Sequence, residues 1–96
     1  MADLLDVGEV DSAIRGSLWS RRGDRLVVTM ERTDFAAAIE LVDRIAELAE
    51  EANHHPDIQV SWNKVALELW THSAGGITQA DLDLAARIDS LGTGPP

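Results

Sequence analysis

Every histidine of the chain lies in one stretch, "ANHHPDIQVSWNKVALELWTH", residues 52 to 72: His54 and His55 side by side, then His72. Imidazole, with an unperturbed pKa near ~6.5, can donate or accept a proton near neutral pH. It can also hold zinc, and three histidines with one open position form a known catalytic zinc set. Metal-binding pairs on a helix favour an i, i+4 spacing, however, and adjacent residues rarely aim at one ion. General acid–base chemistry asks less of the spacing, since a proton donor and a proton acceptor need only flank one substrate. Glu50 precedes His54 by four residues, so a helix reaching that far makes the two side chains neighbours and lets the carboxylate orient the ring. The plainest alternative is that the histidines cap a helix and satisfy backbone groups.

The elements that must position these residues can be read from periodicity. "TDFAAAIELVDRIAELAEEANHHP" is the strongest helix, with Thr33 or Asp34 as N-cap and an alanine- and leucine-rich interior. Phe35, Ile39, Val42, Ala46 and Ala49 make one apolar stripe, and Ala38, Leu41, Ile45 and Leu48 a second beside it. Together they are wider than one sheet contact requires, so part of the face is available to another subunit. Pro56 disfavours helix at His55 and ends it near Asn53 or His54. "SLWS" and "RLVVTMER" flank the turn signal Gly23–Asp24 and read as a hairpin, with Leu26, Val28 and Met30 alternating against Val27, Thr29 and Glu31.

A second hairpin follows: Ile58, Val60 and Trp62 alternate, "SWNK" supplies the turn, and Val65, Leu67 and Leu69 alternate again. The opposite parity, Ala66, Glu68, Trp70 and His72, brings the third histidine to the strand's end on the other face. "AGGIT" breaks the strand. Thr78 and Asp81 have capping-box spacing, and Leu82, Ala85, Ile88 and Leu91 give a closing helix its apolar face. Residues 9 to 17 could form a short leading helix. The order β-β-α-β-β-α, joined by hairpins, predicts an α+β fold: a four-stranded antiparallel sheet with helices on one face. Trp19 and Trp62 read as packing aromatics, with Trp62 in the core or at an interface.

Composition bounds the function. Ninety-six residues, 45% apolar, make one small domain, with a core at about residues 14 to 91 and a tail, "GTGPP", that frays. Seventeen acidic against eight basic residues, a net charge of −9, argue against nucleic acid or an anionic membrane as partner. Arg21, Arg22 and Arg25 read as a solvated hairpin turn. No cysteine means no disulfides or thiolate chemistry. The acidic N-terminus is unlike a secretory signal, and no apolar run could cross a membrane, so a cytoplasmic protein is expected.

The spaced set Glu50-x-x-x-His54-His55-Pro56, Trp62, "NKV" (residues 63 to 65) and "THSAGGITQADLDLA" (residues 71 to 85) resembles the pterin-4a-carbinolamine dehydratases. More loosely, "LWSRRGDRLVVTMERTDFAAAIELVDRIAELAEEANHHP" resembles the family's tryptophan, hairpin and long alanine-rich helix, so the likeness covers roughly residues 14 to 90. The resemblance implies dehydration of 4a-hydroxytetrahydropterin to quinonoid dihydropterin, which recycles the pterin cofactor of aromatic amino-acid hydroxylases. It implies no metal or organic cofactor, a homodimer or homotetramer, and a functional link to such a hydroxylase. By position, His54 and His72 would be the acid–base pair, with His55 holding the pterin. Asn53, Trp70, Thr71 and Ser73 would contact substrate, Glu50 would orient, and Asp81 would cap the last helix at the site's edge. Relatives that serve as Rubisco assembly chaperones or transcription-factor dimerisation cofactors make a non-catalytic binding role the alternative. Such a role has no need of His54 or His72. Three positions depart from the family pattern: Ala80 for an arginine near the pocket, Ser73 for an aspartate, and Trp70 for a small hydroxyl residue.

Overall fold

The computed structural model describes residues 3–92. Its elements are α1 (Val7–Ile14), β1 (Ser20–Arg22), β2 (Arg25–Glu31), α2 (Phe35–Ala52), β3 (Asp57–Ser61), β4 (Lys64–Leu69) and α3 (Gln79–Gly92). The expected order β-β-α-β-β-α, with a short helix ahead, is the observed one. The four strands form one antiparallel sheet in the order β1-β2-β4-β3.

Strand alternation sorts the sheet into two faces. Leu26, Val28 and Met30 of β2 and Val65, Leu67 and Leu69 of β4 are buried beneath the helices. They meet Ala38, Leu41, Ile45 and Ala49 of α2 and Leu84, Ala85 and Ile88 of α3. Each fully buried aliphatic side chain contributes roughly 1.5–3 kcal/mol relative to exposure. Of the two stripes on α2, the one through Ala38, Leu41 and Ile45 is therefore the core face. Phe35 (53% exposed) and Ile39 stay uncovered. Trp19 is buried, and its Nε1–H donates to the Ala85 carbonyl at 3.0 Å.

Some boundaries differ from the sequence expectation. The leading helix begins earlier and ends sooner than residues 9 to 17. Asp6 and Glu9 form a reciprocal capping box that starts it, and Gly16, at φ 80°, turns the chain out after Ile14. The first hairpin turns on Gly23 and Asp24, with Gly23 at φ 61°. Its arginines flank the turn on the strands rather than forming it, and Arg21 pairs with Asp11 while Arg25 pairs with Glu68. Asp34, not Thr33, caps α2, accepting from Ala37 N at 2.8 Å. In the tail, Gly92 is the last residue of α3, and residues 93 to 96 lie outside the described residues.

Trp62, expected in the core or at an interface, is not in the core: it sits at the tip of the β3–β4 turn, 70% exposed, in the left-handed region at φ 53°. Ser61 pairs with Lys64, so the turn has only Trp62 and Asn63 to complete it. Asn63 is the anchored residue, donating through Nδ2 to Arg32 O at 2.9 Å and accepting at its carbonyl from Arg32 N at 2.8 Å. Alternation carried past Val60 breaks at this point, because a two-residue turn reverses the chain before Trp62 can face inward.

Candidate functional site

The site grows out of three chain ends that meet. The first is the C-terminus of α2. Asn53 adopts the left-handed conformation (φ 50°, ψ 43°), which asparagine tolerates better than most residues. Its N–H bonds to Glu50 O at 3.2 Å, and the His54 N–H reaches back to Ala49 O at 3.0 Å. That pair of bonds closes the last turn as a Schellman motif. Pro56 then keeps the chain extended into β3, so consecutive His54 and His55 leave the helix end in different directions.

The second is the turn after β4. Thr71 N donates to Gly76 O at 2.8 Å, and the Thr71 carbonyl accepts from Ala74, Gly75 and Gly76. His72 and Ser73 ride on this loop, which needs Gly75 at φ 74° to close. The strand itself ends at Leu69, so His72 lies in the turn and not at a strand terminus.

The third is the first turn of α3, where Asp81 is fully buried. Its Oδ2 accepts from Thr78 N at 2.9 Å and from Thr71 Oγ1 at 2.7 Å. Thr78 Oγ1 lies 2.8 Å from Thr71 Oγ1, so one hydroxyl chain runs Thr78 to Thr71 to Asp81. The other carboxylate oxygen, Oδ1, is 2.5 Å from His54 Nε2. Burying a carboxylate is costly unless it is paired and hydrogen-bonded, and here both oxygens have partners. Asp81 is therefore more than a helix cap: it ties α2, the β4 turn and α3 together at the histidine.

The partners of the two adjacent histidines differ from the spacing argument. Glu50 bonds His55, not His54: Glu50 Oε2 lies 2.6 Å from His55 Nε2, on an exposed pair. The left-handed turn at Asn53 rotates His54 off the i, i+4 line and onto Asp81. An ionised carboxylate only accepts, so with Asp81 ionised the hydrogen of the contact is on His54 Nε2 and Nδ1 carries the free lone pair. His72 is exposed, and among the described residues its ring nitrogens have no hydrogen-bond partner. Its ring instead stacks on Trp70, centroids 4.0 Å apart and planes 21° from parallel. Trp70 Nε1 is buried and without an acceptor among the described residues.

Asn53, His54, His55, Trp70, Thr71, His72 and Ser73 together line one open cavity of about 400 Å³. These are the three histidines and the four substrate-contact residues expected from the sequence, and a cavity of this size accommodates a small heterocycle. Ala80 is exposed and Trp62 lies outside the lining. His54 and His55 are held by different carboxylates, and among the described residues no three or more histidine, aspartate or glutamate side chains are grouped to hold a metal ion. Sequence reasoning missed the Thr71–Thr78–Asp81 chain. Its one signal was the capping-box spacing, which reveals one acceptor oxygen and leaves the second unassigned.

Comparison with known proteins points to one family. The family model of pterin 4 alpha carbinolamine dehydratase matches residues 3–91. A relative from Nocardia farcinica, provisionally named a pterin-4-alpha-carbinolamine dehydratase, is 55% identical over 73 residues, covering 76% of this chain and 77% of its own. One from Trichormus variabilis with the same provisional name is 47% identical over 92 residues, covering 95% and 99%. Among solved structures, a transcriptional coactivator/pterin dehydratase from Brucella melitensis superposes with a TM-score of 0.86 at 26% identity, covering 92% of this chain and 97% of that one. A pterin dehydratase-like protein described as a RuBisCO assembly factor of the alpha-carboxysome shares the fold, with a TM-score of 0.64 at 24% identity over 82% and 92%. From the match along nearly its whole length, this chain belongs to the pterin 4 alpha carbinolamine dehydratase family.

Proposed function

We propose that the chain dehydrates a 4a-hydroxytetrahydropterin to the quinonoid dihydropterin, with His54 and His72 as its acid–base pair. The observation that carries this reading is the convergence of all three histidines on one cavity, with His54 held by a fully buried carboxylate. Hydroxide is a poor leaving group from C4a. One imidazolium gives its proton to the departing oxygen, which leaves as water, while N5 loses its proton to a neutral imidazole and forms the new double bond. The two protons are then exchanged with solvent, and no metal or organic cofactor is needed.

His54 suits the role of base. Its Nε2–H donates to Asp81, so Nδ1 is left to accept, and the carboxylate stabilises the imidazolium that forms, as in a catalytic triad. His72 is the acid, and exposed His55, braced by Glu50, holds the pterin beside them. Asn53, Trp70, Thr71 and Ser73 form the rest of the wall. The hydroxylase link, assembly through the uncovered face of α2 and a cytoplasmic setting belong to the same reading. Among the described residues no helix is long and apolar enough to cross a membrane.

The test is the decay of chemically generated 4a-hydroxytetrahydropterin, followed optically. Wild-type protein accelerates it, and His54→Ala and His72→Ala each lose roughly ten- to hundredfold of that acceleration. An unchanged spontaneous rate with folded wild-type protein would remove the enzymatic reading and leave a binding role on the same scaffold.

A further inference from the structure

Leu26 of β2 pairs with Leu69 of β4, so Arg25 and Trp70 are the next residues outward on the two strands. By alternation both belong to the row that faces away from the helices, together with Val27 and Glu68. The Arg25 guanidinium carbon lies 4.4 Å from the Trp70 ring centroid. Arg25 Nη1 donates to Glu68 Oε1 at 2.9 Å, and its Nε lies 3.8 Å from Asp24 Oδ1. Trp70 in turn stacks on His72 at 4.0 Å. Two planar groups this close to one ring have no room side by side on the same face, so the guanidinium anchored on Glu68 and the imidazole meet the indole from opposite faces.

We infer that Arg25 is a positioning residue for His72, acting through Trp70: Glu68 and Arg25 clamp the indole, and the clamped indole fixes the plane of the imidazole. A guanidinium over an indole face is a favourable cation–π contact, and it presses on the side opposite His72. The stack is the restraint His72 has. It rides on a turn, is exposed, and has no ring hydrogen bond among the described residues, whereas His54 and His55 are each held by a carboxylate. With both indole faces covered, Trp70 serves the cavity as a wall and not as a stacking platform for a flat ligand. The consequence for turnover rests on the dehydratase reading; the clamp itself does not.

The experiment is NMR of the histidine ring protons, with His72 assigned through His72→Gln. Stacking on an indole shields a ring, so wild-type His72 protons lie upfield of those of His55. Arg25→Gln moves them downfield, Arg25→Lys retains part of the shielding, and Glu68→Gln gives a smaller move in the same direction. The same variants are assayed for dehydration, where Arg25→Gln lowers kcat roughly tenfold with KM changed less than about twofold, the signature of a misplaced acid. His72 protons unmoved in folded Arg25→Gln would overturn the clamp. Moved protons with kcat unchanged would overturn the positioning role. Absence of turnover in wild type would remove the dehydratase reading alone, with the ring-proton shifts still deciding the clamp.

Discussion

Asp81 is the residue on which the site's geometry depends most. Its carboxylate accepts from His54, from Thr71 and from the Thr78 backbone, all with no exposure to water. Asparagine has nearly the same volume but one acceptor oxygen, so Asp81→Asn must turn an amide NH2 toward either the imidazole or the threonine hydroxyl. An unmade buried hydrogen bond costs roughly 1–3 kcal/mol. The expected outcome is a stability loss of that size in urea unfolding, together with a fall in dehydration rate of roughly ten- to hundredfold. A variant with wild-type rate would show that His54 does not depend on its carboxylate. The bond from Glu50 to His55 is exposed and correspondingly weaker, since surface pairs contribute about 0–1 kcal/mol.

At the scale of elements, α1 is the least embedded of the three helices. It buries one side chain, Val10, and is held to β1 by the exposed pair of Asp11 and Arg21, 2.8 Å apart. The hydrogen bond from the Arg21 guanidinium lowers the pKa of Asp11 from its model-peptide value of 3.8, while the same bond raises that of Arg21. A carboxylate with a depressed folded value contributes stability that is present above 3.8 and is lost as pH falls through the folded value. Asp11→Asn is therefore expected to be less stable than wild type at neutral pH, with the difference closing in acid. Urea midpoints across the pH range measure this, and a constant difference would sink the assignment. The elements themselves were mostly legible, because their signals are local: the Asp34 cap, the Gly23 turn and the alternation of β2 and β4. The start of α1 was not, since the Asp6 and Glu9 capping box has only a short apolar pattern behind it.

For the whole molecule, the open question is what covers α2. Phe35 and Ile39 are large and exposed on its outer side, and acidic residues such as Glu40, Asp43 and Glu47 border them. A small domain that leaves such a stripe in water has reason to bury it against another copy. Light scattering is expected to give wild-type protein the mass of an assembly, and Phe35→Glu with Ile39→Glu to move that mass toward a single chain. The substitutions lie outside the core, so the monomer should remain folded. A monomeric wild type would contradict assembly through this face, and an unchanged mass in the double variant would move the interface elsewhere.

The sequence by itself determined the element order, the buried stripes of β2 and β4 and the residues that line the cavity. Each of these rests on short-range periodicity or on a spaced motif that survives without coordinates. Pairings among those residues did not follow. His54 meets Asp81 rather than Glu50 because a left-handed Asn53 redirects the chain, and backbone conformation at one residue has no periodicity to betray it. Trp62 faces water because a two-residue turn reverses the chain where simple alternation would have continued. Arg25 reaches Trp70 because β2 and β4 are in one particular register, and a slip of one residue would place it on the other face. Side-chain partners far apart in the chain are decided by register and by the angle at which elements meet, and those exist only once the tertiary structure has formed.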